Sequence, residues 1–108
     1  MDDCIFCKIA EGEIPCYKIY EDGEFLAFSD AHPAAEGHTL VIPKKHFENI
    51  FELPENLVGK INIVSKKVAE LLKEKFEIND VNILNASGKA AQQSVFHIHY
   101  HVCSKKRR

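Results

Sequence analysis

From Phe96 to Val102 every second residue is apolar or aromatic, and each residue between them is a histidine: Phe96-His97-Ile98-His99-Tyr100-His101-Val102. A helix cannot seat a period of two on one side, so residues 94–103 predict a β-strand. Side chains at i, i+2 and i+4 of a strand share one face, about 6.6–6.8 Å apart per step. His97, His99 and His101 then form one row, and Phe96, Ile98, Tyr100 and Val102 form the opposite row facing a core. A strand so divided needs partner strands and a layer to bury its apolar side.

The remaining chain supplies both. Residues 17–21 and 24–29 alternate, and Asp22-Gly23 between them predicts a hairpin with a type I′ turn, which needs positive φ at both central positions. Residues 38–42 read as a buried strand closed by Pro43, and 81–84 as a further strand. The clearest helix covers 54–76, where Leu57, Ile61, Val64, Val68, Leu71 and Leu72 fall on one stripe. Lys60, Lys66, Lys67, Glu70 and Lys73 take its wet side, and Pro54 its first position, where a missing N–H costs nothing. Residues 4–10 predict a short helical turn ended by Gly12 and Pro15. Strands and helices that are grouped rather than alternating predict an α+β domain with a mostly antiparallel sheet of about five strands, one long helix and one short one.

At 108 residues the chain fits one domain, 1–108, with enough apolar content to form a core without disulfides. No apolar run reaches the ~20 residues of a membrane helix, and Met1-Asp2-Asp3 lacks the basic start of a signal peptide. The expectation is a cytoplasmic protein with reduced thiols and no membrane partner. The net charge of -2 conceals an acidic body, because four of the 14 basic residues are the last four, leaving 10 Lys and Arg against 16 Asp and Glu. Such a body argues against nucleic acid as a partner, and residues 105–108 read as a solvated basic tail.

Six histidines and four cysteines without any tryptophan point to metal or imidazole chemistry. Two readings of the histidine row stand side by side. Three imidazoles on one face can ligate a metal, as in three-His zinc sites. Alternatively, one is a nucleophile with a neighbour to orient it or move a proton. Neutral imidazole suits that task near pH 7, because an ordinary pKa near 6.5 leaves the free base populated.

Taken together, these segments resemble the histidine triad (HIT) family of nucleotide hydrolases and transferases. The residues that carry the resemblance are Cys4-Ile5-Phe6-Cys7-Lys8-Ile9, Glu13-Ile14-Pro15, Leu26-Ala27-Phe28-Ser29-Asp30, and Gly37-His38-Thr39-Leu40-Val41-Ile42-Pro43-Lys44-Lys45-His46. Gln93-Ser94-Val95 then leads into His-x-His-x-His. The resemblance implies that His99 attacks the α-phosphorus of a purine nucleoside phosphoramidate or dinucleoside polyphosphate. A nucleotidyl-histidine forms and water hydrolyses it, releasing the nucleoside monophosphate. It further implies that His101 donates to a phosphate oxygen and that Ser94 contacts the phosphate or leaving group. Asp30 would take the ribose hydroxyls, and Phe6, Ile9 and Phe28 would line the base slot. His38, Asn85 and Gln93 would complete the nucleotide site. Family members are commonly homodimers.

The branch of the family with Cys-x-x-Cys at this place holds zinc with that pair and two histidines. By resemblance the set here is Cys4, Cys7, His46 and His97, giving one structural zinc per chain. A closed set of two Cys and two His suits a tetrahedral structural ion. A redox role for Cys4-x-x-Cys7 fits less well, because a thioredoxin-like motif follows a strand. His32, Cys16 and Cys103 are left without an assigned role.

The sequence departs from the family at two places. Gln92 stands where relatives carry a glycine that lets backbone N–H groups approach the phosphate. The chain also stops seven residues after His101, where many relatives continue with a tail that shapes the leaving-group pocket; an open pocket, or one completed by a partner chain, is the corresponding expectation. Two further readings are a metalloenzyme built on His97, His99 and His101, and a non-catalytic, zinc-stabilised nucleotide-binding module.

Overall fold

A computed structural model describes residues 3–29 and 38–104. Five strands, β1 (Tyr17–Glu21), β2 (Phe25–Ser29), β3 (Thr39–Pro43), β4 (Val81–Asn85) and β5 (Tyr100–Ser104), form one sheet in the order β1-β2-β3-β5-β4. Every pairing is antiparallel. A short helix, α1 (Ile5–Ala10), and a long one, α2 (Glu55–Phe76), cover its two faces. The α+β architecture read from the sequence is the observed one.

Two cores explain why the central strands are buried along their length rather than alternating. Phe25, Ala27, Val41, Ile98 and Val102 point toward α2, where Ile61, Val64, Val68 and Leu72 meet them. Leu26, Phe28, Leu40 and Ile42 point the other way, onto Phe6 and Ile9 of α1. Ser65 is buried among the α2 side chains because its hydroxyl donates to the carbonyl of Ile61 at 2.8 Å. Leu57 and Leu71, assigned to the same stripe, are only half-buried.

Three local expectations need correction. Pro54 is the N-cap of α2, with extended backbone at φ -60 and ψ 146, rather than its first helical residue. The β1–β2 turn is not type I′, since neither Asp22 nor Gly23 has positive φ. Instead, the Asp22 carboxylate accepts from the N–H groups of Glu24 and Phe25, each at 2.8 Å, and organises the turn through its side chain. The last strand is shorter than 94–103. Its pairing with β3 ends at Val41 opposite Tyr100, and beyond that point Ile98 N–H donates to the carbonyl of Phe47 in the loop after β3, at 2.7 Å.

The alternation survives this departure from the ladder, with one exception. Ile98 and Val102 are buried toward α2, but Phe96 lies at the surface, 43% exposed. The histidine row faces the smaller core under α1, and His97 and His99 are almost fully buried.

Candidate active site

The N-terminal helix places the first group of ligands. Cys4 caps α1, its sulfur accepting from Cys7 N–H at 3.3 Å, which turns both thiols toward the sheet. There they meet His46, from the loop after β3, and His97. Cys4 Sγ and Cys7 Sγ each lie 3.4 Å from His97 Nδ1, and Cys7 Sγ lies 3.3 Å from His46 Nδ1. All four donor atoms fall within 4.8 Å of one another. Zinc–sulfur and zinc–nitrogen bond lengths imply tetrahedral edges of roughly 3.3–3.8 Å, so this donor set fits such an ion. His97 Nε2 sits 2.8 Å from the Pro43 carbonyl, which can only accept. The proton is therefore on Nε2, and Nδ1 offers its lone pair to the sulfurs, as a metal-ligating imidazole requires. Burial pushes the His97 pKa down to about 4 and, helped by the neighbouring Cys4, pushes the Cys7 thiol up to about 11.

His99 is held by the same logic in a different direction. Its Nδ1 lies 2.9 Å from the His97 carbonyl, so Nδ1 carries the proton and Nε2 the lone pair. The carbonyl of His99 itself accepts from Asn85 Nδ2 at 3.1 Å, and Asn85 Oδ1 accepts from Ser87 Oγ at 2.8 Å. Phe6 packs edge-on against the His99 ring, and the His101 ring also meets it, with centroids 4.9 Å apart. His101 Nδ1 in turn meets His38 Nε2 at 2.9 Å, so the two rings share one proton. The three histidines of the row therefore do not gather around one point. His97 joins the thiols, His99 is fixed by backbone, and His101 pairs with His38.

Beside this row lies a cleft of about 440 Å³. Of the residues expected at the nucleotide, Phe6, Ile9, Phe28, Ser94 and His101 line it. Ile14, Cys16, Tyr17 and Val95 also line it and were not singled out. Ile5, another such wall, shares a helical face with Ile9, a spacing that could have flagged it; Cys16 and Tyr17 carry no such signal. Gln93 is buried, and its amide is engaged within the protein. Nε2 donates to the carbonyls of Glu48 and Val95, at 2.6 and 2.9 Å, and Oε1 accepts from Gly88 N–H at 2.7 Å. It ties down the loop that presents Ser94. Within that loop Gln92 has φ 69 and ψ 32, the left-handed region that favours glycine. Asp30, the expected ribose ligand, and the basic tail lie outside the described residues.

Residues 11–108 match the HIT domain family. The chain belongs to the HIT family. Protein hit from Bacillus subtilis is 46% identical over 101 residues, covering 94% of this chain and 70% of that protein. Adenosine 5'-monophosphoramidase HNT1 of Saccharomyces cerevisiae is 38% identical over 103 residues, covering 95% of this chain and 63% of that protein. Among solved structures, a zinc-bound histidine triad family protein from Mycobacterium smegmatis superimposes with a TM-score of 0.90 at 40% identity, over 97% of this chain and 76% of that one. The HIT fold read from the sequence is that of this family. Among the described residues, no helix is long and apolar enough to cross a membrane.

Proposed function

We propose that this HIT protein is a nucleotide hydrolase that cleaves at the α-phosphate of a purine nucleoside phosphoramidate or dinucleoside polyphosphate, with His99 as nucleophile. The observation that carries the reading is the His99 tautomer: the His97 carbonyl accepts from Nδ1–H, which places the ring's lone pair on Nε2. In the first step Nε2 bonds to phosphorus, the bond to the leaving amine or phosphate breaks, and the leaving group takes up a proton. The resulting nucleotidyl-imidazolium keeps its Nδ1 proton on the His97 carbonyl, so its positive charge has a fixed partner. In the second step water bonds to phosphorus, its proton is lost, and Nε2 leaves as neutral imidazole. His101, oriented by His38, and Ser94 donate to the phosphate or leaving group. Phosphoryl transfer relies chiefly on such placed donors.

Phe6, Ile9 and Phe28 form the apolar wall for a purine, and Asp30 takes the ribose hydroxyls. Cys4, Cys7, His46 and His97 hold one zinc ion, whose task is to fasten α1 to the sheet. The yeast phosphoramidase supports the substrate class, and the zinc-bound mycobacterial relative supports the metal. The chain assembles as a homodimer. The support for this is β4, an edge strand that leaves Ile83 and Leu84 exposed.

Replacement of His99 by Ala is the direct test. It should abolish turnover of an adenosine phosphoramidate while zinc content and AMP affinity stay near the parent values. Loss of zinc in that variant would instead favour a catalytic metal on the histidine row. Wild-type protein that binds AMP but turns over neither substrate class would favour a binding module.

A further inference from the structure

The far end of the histidine row carries a second set of soft ligands. Cys103 follows His101 by two positions on β5 and shares its face, while the register of Thr39 with Val102 brings His38 alongside from the start of β3. Donor atoms of His38, His101 and Cys103 all lie within 4.8 Å of one another. The two imidazoles are stacked with centroids 5.2 Å apart, and all three residues are half-buried. Hydrolysis at phosphorus gives no reason for a thiol at this place.

We infer that His38, His101 and Cys103 form a second site for a soft divalent cation such as Zn²⁺, weaker than the four-residue cluster, and that filling it weakens nucleotide binding. Ions of this class select imidazole and thiolate ligands. Three protein donors leave a fourth tetrahedral position to water, the arrangement of exchangeable rather than structural sites. His101 and Cys103 stand on β5 and His38 immediately precedes β3. The two contact nitrogens, 2.9 Å apart, need only part by a few tenths of an ångström to span an ion.

Binding expels the Cys103 thiol proton to solvent. The proton between His38 Nε2 and His101 Nδ1 moves to a ring nitrogen facing away from the ion, because both contact atoms now need their lone pairs. The hydrogen bond that orients His101 is thereby replaced by bonds to the ion. The loss of nucleotide affinity rests on the reading of His101 as a phosphate donor; the metal site does not.

Cobalt(II) titration of the zinc-loaded protein tests the site without reference to activity. The expected result is a second equivalent bound, with a near-ultraviolet sulfur-to-cobalt band. Cys103→Ser and Cys103→Ala should lose that band and weaken the second equivalent roughly tenfold or more, whereas Cys16→Ser should change neither. Uptake of one equivalent only, or a second equivalent indifferent to Cys103, overturns the site. Calorimetry with AMP tests the consequence: filling the second site with Zn²⁺ should raise the AMP Kd roughly tenfold in the parent and leave it unchanged in Cys103→Ser. An ion bound through Cys103 that leaves AMP affinity unchanged overturns the coupling. Protein that binds the second ion but no AMP contradicts the nucleotide reading instead.

Discussion

The ring of Phe6 meets the imidazole of His99 edge-on, with centroids 5.1 Å apart and planes at 87°. Phe6 lies between Cys4 and Cys7 in sequence, so the proposed metal ligands hold the residue that packs against the proposed nucleophile. Ile5 and Ile9 of the same helix also line the cleft. A six-residue helix has little stability of its own and depends on such anchors.

Removing the metal should therefore act on the nucleotide as well as on stability. Chelation is expected to raise the Kd for AMP roughly tenfold or more, and to make the α1 segment sensitive to protease. Calorimetry before and after chelation, followed by zinc restoration, checks this. Unchanged AMP affinity in folded, metal-free protein would separate the two sites.

Acid should destabilise the metal-free protein over a defined window. His97 has a folded pKa of about 4 because it is buried, against about 6.5 for an exposed histidine. Between these values the unfolded chain binds the proton and the folded chain does not, so stability falls as pH falls from 6.5 to 4. The loss amounts to roughly 3 kcal/mol, complete below pH 4. Urea unfolding of chelated protein across that range measures it, and His97→Gln should flatten the profile.

Gln92 sits at φ 69, a conformation that costs a side-chain-bearing residue roughly 1–2 kcal/mol. Glycine removes that strain but adds freedom to the unfolded chain. Gln92→Gly is therefore expected to stabilise the protein by about 0.5–1 kcal/mol, read as a raised denaturation midpoint.

If the edge strand β4 pairs two copies, a charge on its exposed apolar side chains should separate them. Leu84→Glu is expected to convert a dimer into monomers in sedimentation equilibrium without loss of secondary structure. A parent protein that sediments as a monomer contradicts the dimer.

Much of this was legible in the sequence because it rests on local patterns. The α2 stripe placed Ile61, Val64, Val68 and Leu72 correctly, since one face of a 3.6-residue period has one place to go. The last strand was read too long. Alternation reports which way side chains point, and His97 to Val102 do alternate, but it does not report whether the backbone stays in the ladder. That depended on the Phe47 carbonyl, some 50 residues earlier in the chain. The type I′ turn failed for a similar reason, because the side chain of Asp22 supplied the bonds that positive φ values would otherwise have arranged. The alternation puts Cys103 on the face of the histidine row, two positions after His101, but its nearness to His38 follows from the β3–β5 register and has no local signal.

The central claim is that His99 forms a covalent bond to phosphorus. Mixing the protein with an adenosine phosphoramidate, quenching within one turnover in base and mapping peptides by mass spectrometry tests it most directly. The predicted result is an adenylyl group on the peptide containing His99, which disappears as AMP is released. AMP formed with no adduct at any quench time, or with the adduct on another residue, would contradict the account.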